Sequence, residues 1–321
     1  MKKNRITKVW LNFTLVAWVT SVFFVPSTAI AQAQKAQLAT IPVVQKTPSL
    51  MWKATAANGK TIYMFGSIHL GTKDFYPLPV EIEDAFAQSD KLLVEADIGK
   101  IDQTAMQNYV SANGVYAGDD TLFNHLSPAG AEKLKKFSAD NGLPVEGIVK
   151  LKPWIAAITI AVIPMMKSGY QPEFGIDKYF LDKARDKKQI VEIESADWQL
   201  KLLSETPEPI QLKFLESTLD QAVNFKDYSQ NLLSAWSAAD VKRLESFFTS
   251  ESGEPIEIQK KLLDDRNPRM ANFAEQCLKT GEKCFVVVGA GHLIGAKGIV
   301  QLLKERGYKV EQIMVTPGKK S

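Results

Sequence analysis

Histidine and cysteine are scarce in this chain: its 321 residues include three of the first and two of the second. Two cysteines, Cys277 and Cys284, permit at most one internal disulfide. No His-Glu-x-x-His is present, which removes the commonest helical zinc-protease pattern, and no Gly-x-Ser-x-Gly, which removes the serine nucleophile elbow. Tandem repeats, low-complexity tracts and long linkers are also missing, so one domain with helical insertions is the economical organisation. Neither charge is in large excess. The 39 basic residues, set against 36 acidic ones, include Lys2, Lys3, Arg5 and Lys8; without those four the balance is 35 to 36. Bulk charge therefore recruits neither nucleic acid nor an anionic membrane.

The same four basic residues precede an apolar stretch over residues 9–25, and Ala29-Ile30-Ala31 has the small-x-small form that a signal peptidase cuts. Asn12, Thr14 and Ser21 interrupt the stretch, which suits a cleaved signal better than an anchor. The pattern predicts a signal peptide over residues 1–31, cleavage after Ala31, and a periplasmic or secreted protein with no stable membrane span in the mature chain. Residues 32–48, rich in Ala, Gln and Pro without a sustained period, read as a flexible leader to a domain over residues 49–321. An oxidising compartment makes a Cys277–Cys284 disulfide the expectation, tying the end of a helix to the strand that leads to His292. The spacing alone also allows two free thiols.

Within the domain, strand-like runs at 51–54 and 61–65 bracket Asn58-Gly59, a hairpin signal. Helical spacing over 80–88 is followed by an apolar strand at 91–94 that ends in Glu95-Ala96-Asp97. Helix signals then dominate to about residue 170, including Ser127-Pro128 as a helix start and a nearly all-apolar run over 154–166. That run is too short to cross a bilayer and contains Pro164, so it reads as a buried helix. A strand at 189–193 ends in Glu194, amphipathic segments fill 196–280, and an apolar strand at 283–288 feeds Gly289-Ala290-Gly291-His292. A helix to Arg306 and a strand near 308–314 close the chain. The expected fold is α/β (α+β): a central mixed sheet with surrounding helices and a helical insertion or lobe.

Two of the three histidines, His69 and His292, stand in the same Gly-x-x-His-Leu context directly after an apolar strand, led by Gly66 and Gly289. Glycine at a strand end allows a sharp turn or a close approach, so each histidine can project from the sheet rim. Glu95 and Glu194 both follow apolar strands, and a buried carboxylate demands a partner. Two imidazoles with a carboxylate suit divalent Mn, Co, Zn or Fe, which would activate water for hydrolysis. Without a metal, a histidine activated by Glu95 could serve as general base. His125, outside these motifs, reads as a surface or packing residue.

Phe65-Gly-Ser-Ile-His-Leu-Gly71, Leu93-Val-Glu-Ala-Asp97, Gly175-Ile-Asp177, Arg266-Asn267 and Val287-Val-Gly-Ala-Gly-His-Leu-Ile-Gly295 resemble the TraB/GumN family. The likeness covers nearly all of residues 50–315. The family's animal relatives, the Tiki proteins, are regarded as metal-dependent proteases, and erythromycin esterase-like and ChaN-like proteins are related to it. The resemblance implies His69 and His292 as metal ligands or catalytic groups and Glu95 as ligand or general base. It further implies Asp97, Asp177, Glu194 and Arg266 as supporting or substrate-orienting residues, for which ordinary capping or ion-pair roles are the alternative. Three functions follow as expectations: a metal-dependent, peptidase-like hydrolase acting on a peptide or small molecule; a protein that binds heme or metal without turnover; and a metal-free esterase-like hydrolase.

Overall fold

The computed structural model describes residues 47–223, 225–248 and 256–316. The expected signal peptide and residues 32–46 of the expected leader lie outside the described residues. Six strands make one sheet: β1 (Thr47–Thr55), β2 (Thr61–Ser67), β3 (Lys91–Val94), β4 (Gln189–Glu192), β5 (Cys284–Gly289) and β6 (Lys309–Val315). β1 thus opens two residues inside the stretch read as leader. The spatial order is β4-β3-β5-β2-β1-β6. The first four are parallel neighbours, and β1 runs antiparallel to both β2 and β6. The sheet is mixed and helices surround it, as the sequence pattern indicates.

Burial explains why the central strands read as continuous apolar runs: Phe285 to Val288 of β5 are fully buried, as expected for a parallel strand covered on both faces. On one face the helix Ile176–Ala184 presses Phe180 against Phe86 and Phe285, with ring centroids 4.9 and 5.0 Å apart. A second core lies in the helical lobe. There the helix Pro153–Lys167 packs with the helix Glu208–Val223, burying Trp154, Leu215 and Leu219. The apolar run expected at 154–166 is this helix, with Pro153 in its first turn, where no N–H is needed, and Pro164 inside its last turn. Among the described residues no helix is long and apolar enough to cross a membrane.

The seam between the two cores positions the site. Phe65 and Val94 belong to the sheet core, whereas Leu70 and Ala96, each one residue beyond a histidine or glutamate of interest, belong to the lobe core. Each strand end is thereby pinned on both sides of its polar residue.

Cys277 and Cys284 form a disulfide between the helix Asn267–Thr280 and the first residue of β5. With a sequence separation of 7, closing the loop in the unfolded chain is worth about 2–3 kcal/mol. A Cys277→Ser/Cys284→Ser variant is expected to unfold at lower urea by that amount, and unchanged unfolding would show the cross-link to be energetically idle.

Candidate active site

Register explains how two remote histidines meet. Ser67 of β2 pairs with Gly289 of β5, so the two Gly-x-x-His turns leave neighbouring parallel strands within one residue of the same level. β3 lies on the other side of β5, with Val94 paired to Val287, and Glu95 follows directly. Three adjacent strands therefore deliver His69, His292 and Glu95 to one rim at their carboxyl ends, the usual location of sites in open α/β sheets.

Each imidazole is held through Nδ1. His69 Nδ1 is 2.8 Å from Asp177 Oδ2, and Ser67 Oγ donates to the other Asp177 oxygen at 2.6 Å. Asp177 sits in the first turn of the helix Ile176–Ala184, whose Ile176 N–H donates to Ile68 O at 3.0 Å. Gly175 precedes that helix because a methyl there would stand 2.2 Å from His69 O, closer than atoms can approach. His292 Nδ1 lies 2.6 Å from Asn267 Oδ1, and Asn267 Nδ2 donates to Lys297 O at 2.9 Å. That second bond turns the amide oxygen toward the imidazole, so Nδ1 of His292 carries the proton and Nε2 is an open lone pair. Nε2 of His292 lies 3.7 Å from Glu95 Oε1.

Glu95 is buried and fully engaged. Its Oε1 accepts from the Gly289 N–H at 2.7 Å, and its Oε2 accepts from Arg266 Nη2 at 2.6 Å and Gln199 Nε2 at 3.2 Å. Arg266 also donates from Nε and Nη2 to Glu194, at 3.0 and 2.6 Å. Local structure places each partner. The Ser195 hydroxyl caps the helix Ala196–Ser204, which aims Gln199 back at both glutamates. Arg266 stands at the start of the helix Asn267–Thr280, behind a π-helical turn over Lys260–Asp264, and its Nη1 donates to Leu262 O at 2.8 Å. Such wide turns recur at functional sites.

A methyl at Gly289 would stand 3.3 Å from Glu95 Oε1, 3.7 Å from His292 Cδ2 and 4.0 Å from His69 Nε2. The first and last distances added together bound the Glu95 oxygen and the His69 nitrogen to within 7.3 Å of one another. Among the described residues the three donor atoms do not all close to within 4.8 Å of each other. His69 is the member that water reaches, with 33% of its side chain exposed, whereas His292 is buried.

The two histidines differ electrostatically. Burial opposes charge on His69, but Asp177, by charge and hydrogen bond, with Glu95 behind it, outweighs burial and raises its pKa to about 9. Burial dominates at His292, and the Arg266 and His69 charges add to it, lowering its pKa to about 3 against the pull of Glu95. For Glu95, burial favours the neutral acid, yet His292, Arg266, His69 and the Gly289 N–H hold its carboxyl well below the usual range. At neutral pH the site therefore pairs a cationic and a neutral imidazole around a carboxylate.

Asp177 touches His69, and Glu194 and Arg266 stand beside Glu95. Asp97 goes elsewhere: it pairs with both terminal nitrogens of Arg185 at 2.7 and 2.8 Å and caps a 3-10 turn, an ordinary ion-pair role. His125 stacks on Tyr116 and pairs with Asp120 and Glu208, as a packing residue does. Gly66 backs the site rather than entering it, its carbonyl accepting from Trp236 Nε1 at 3.0 Å. Three residues were not singled out from the sequence. Ser67 and Asn267 lie inside the quoted motifs and carry a signal; Gln199 is one polar residue among many on an amphipathic helix and carries none.

The chain is thus an α/β protein whose mixed sheet brings two strand-end histidines and an arginine-clamped glutamate to one rim. The chain belongs to the TraB/PrgY/gumN family, whose model matches residues 50–312. It is 25% identical over 251 residues to the uncharacterized protein YbaP of Escherichia coli (strain K12), covering 78% of this chain and 90% of that protein. The YbaP protein of Shigella flexneri shows the same identity and coverage. No solved structure matches the chain.

The clamp makes a direct expectation. Removing one partner of a buried ion group leaves an uncompensated charge that costs roughly 3–5 kcal/mol. Arg266→Met is expected to lose that much in urea unfolding at pH 7, and adding Glu95→Gln and Glu194→Gln should recover most of it. A loss below about 0.5 kcal/mol, typical of unremarkable surface positions, would mean that the triad is not a structural unit.

Proposed function

We propose that the protein is an exported hydrolase, acting on a peptide or a related small molecule, with a divalent metal held by His69 Nε2, His292 Nε2 and Glu95. The observation that carries the reading is that both imidazoles are fixed through Nδ1, leaving their Nε2 atoms on the side of Gly289 and Glu95, that of His292 3.7 Å from Glu95 Oε1. Metal-binding histidines almost always have the other ring nitrogen hydrogen-bonded in this way. The donor chemistry fits Mn, Co, Zn or Fe as a divalent ion. The donors as they stand are more widely spread than the roughly 2 Å bonds of a closed zinc site require, so the three would have to draw together around the ion.

When bound, the metal would lower the pKa of a water molecule and polarise the scissile carbonyl. The chain's own residues do the rest. His292, neutral and buried, offers a lone pair without competition from a proton near neutral pH, whereas His69, its pKa raised to about 9, would have to release its Nε2 proton for a metal to bind there. Asn267 and Asp177 set the ring orientations, and Arg266 keeps Glu95 ionised and immobile. The exposed edge of His69 marks the side from which substrate enters. The signal-peptide pattern over residues 1–31 supports a periplasmic or secreted location for this chemistry.

A metal-free hydrolase is the second reading, favoured by the spread of the three donors and by the cationic His69 that could stabilise an oxyanion. Its weakness is that neither His292 nor Glu95 is tuned near neutrality, as an efficient general base is. Purified protein should carry close to one equivalent of metal, hydrolyse fluorogenic peptides, and lose both properties with chelator, in His69→Ala and in His292→Ala. Activity that survives chelator but not His292→Ala would transfer the assignment to the metal-free reading. Saturable heme or metal binding that depends on these histidines, without turnover, would make it a binding protein. Undiminished activity in both variants would refute the site itself.

A further inference from the structure

Arg266 serves the two site glutamates unequally. Its Nε and Nη2 donate to the two oxygens of Glu194, at 3.0 and 2.6 Å, and its Nη1 is committed to Leu262 O. Glu95 receives one N–H, from Nη2 to Oε2 at 2.6 Å. Glu194 is therefore gripped by a two-point fork and Glu95 by a single bond. Both Oε2 atoms lie 2.6 Å from the same nitrogen, so at most twice that distance separates two anionic oxygens that repel one another.

Gln199 makes up the difference. Its Nε2 donates to Glu95 Oε2 at 3.2 Å and to Glu194 Oε2 at 3.1 Å. A carboxamide nitrogen carries two hydrogens, one for each oxygen, and so does Arg266 Nη2. Two nitrogens and two oxygens thus close a ring of four hydrogen bonds, in which the amide doubles the donors on Glu95 Oε2 without adding a charge. A carboxylate at this position would set three anions around one guanidinium, and a second cation would cancel the negative charge that Glu95 offers to His69 and to a metal.

The ring also joins the two cores. Glu95, Glu194 and Arg266 stand at strand ends and a helix start beside the sheet, whereas Gln199 comes from the helix Ala196–Ser204, whose Leu200 belongs to the lobe core. The end of that helix is tied into the lobe: Ser204 Oγ is 2.7 Å from the Tyr109 hydroxyl, and Ser204 O accepts from Gln211 Nε2 at 3.1 Å. Gln211 is itself buried in the helix Glu208–Val223, and its Oε1 accepts from Trp154 N–H at 3.3 Å. Packing in the lobe therefore sets where the amide stands.

We propose that Gln199 is a positioning residue: carried by the lobe, its amide holds Glu95 Oε2 beside Arg266, so that Oε1 stays on the Gly289 N–H and faces His292. The inference rests on the hydrolase reading, in which Glu95 is one of the three groups at the reacting centre. It makes the helical lobe part of the site, since the lobe fixes a glutamate that the sheet alone holds by one oxygen to Arg266 and the other to Gly289.

Gln199→Met tests this, because it keeps the length and helix preference of the side chain and removes both donors. Amide hydrogen exchange of the metal-free protein, followed by NMR, reads the position of Glu95 at the Gly289 N–H that it accepts. Exchange at Gly289 is expected to be roughly tenfold faster or more in Gln199→Met, the loss of a hydrogen bond to a charged group, with Val286 and Val287 of the same strand unchanged. In the peptide assay the same variant should lose roughly tenfold or more in kcat, with KM nearly unchanged. Unchanged exchange at Gly289, acceleration shared by Val286 and Val287, or a faster Gly289 with kcat unaltered would overturn the proposal. A faster Gly289 in a protein that cleaves no peptide in its unaltered form would remove the hydrolase reading and leave the placement of Glu95 by Gln199 standing.

Discussion

The guanidinium of Arg266, shared between Glu95 and Glu194, is the contact on which the rest of the site depends. The two carboxylates follow neighbouring strands β3 and β4, are both buried, and share a hydrogen-bonded backbone through Glu194 N–H to Glu95 O at 2.8 Å. Two anions so placed could not both ionise without a cation between them. Arg266 supplies that cation from the helix Asn267–Thr280, so the charge requirement docks this helix onto the strand ends. The next residue, Asn267, is thereby delivered to His292. Ion pairing, helix placement and imidazole orientation are one constraint.

From that constraint follows an asymmetry between the two histidines. His69 leans on a carboxylate and His292 on an amide, while both see Glu95. A pair of identical imidazoles with identical partners would share a protonation state; here the partners separate them, as sites that need one charged and one neutral group commonly do. The burial difference runs the same way: His69 is partly exposed, whereas His292 is buried.

Much of this was legible in the residues. Apolar runs located strands, and the repeated Gly-x-x-His context marked the ends of β2 and β5 as a shared site; that the two strands are parallel neighbours, with Ser67 opposite Gly289, was not legible. Glu95 and Glu194 were legible because a carboxylate after an apolar strand demands a partner. The identity of that partner was legible only through family likeness, since one arginine among many carries no local mark. Asp97 shared the strand-end signal with Glu95, two residues away, yet extended backbone and the following 3-10 turn send it to Arg185. Gln199 had no sequence signal, because its contacts arise from how distant segments pack.

Both rings turn Nε2 toward Gly289 and Glu95, with Nδ1 committed to Asp177 and Asn267. Long-range proton–nitrogen correlation spectra of the metal-free protein at pH 7 read this directly, and three histidines keep the spectrum assignable. His292 is expected as a single neutral tautomer protonated on Nδ1 alone, reverting to an averaged pattern in Asn267→Ala. A His292 ring protonated on Nε2, or one exchanging freely between tautomers in the unaltered protein, would contradict it.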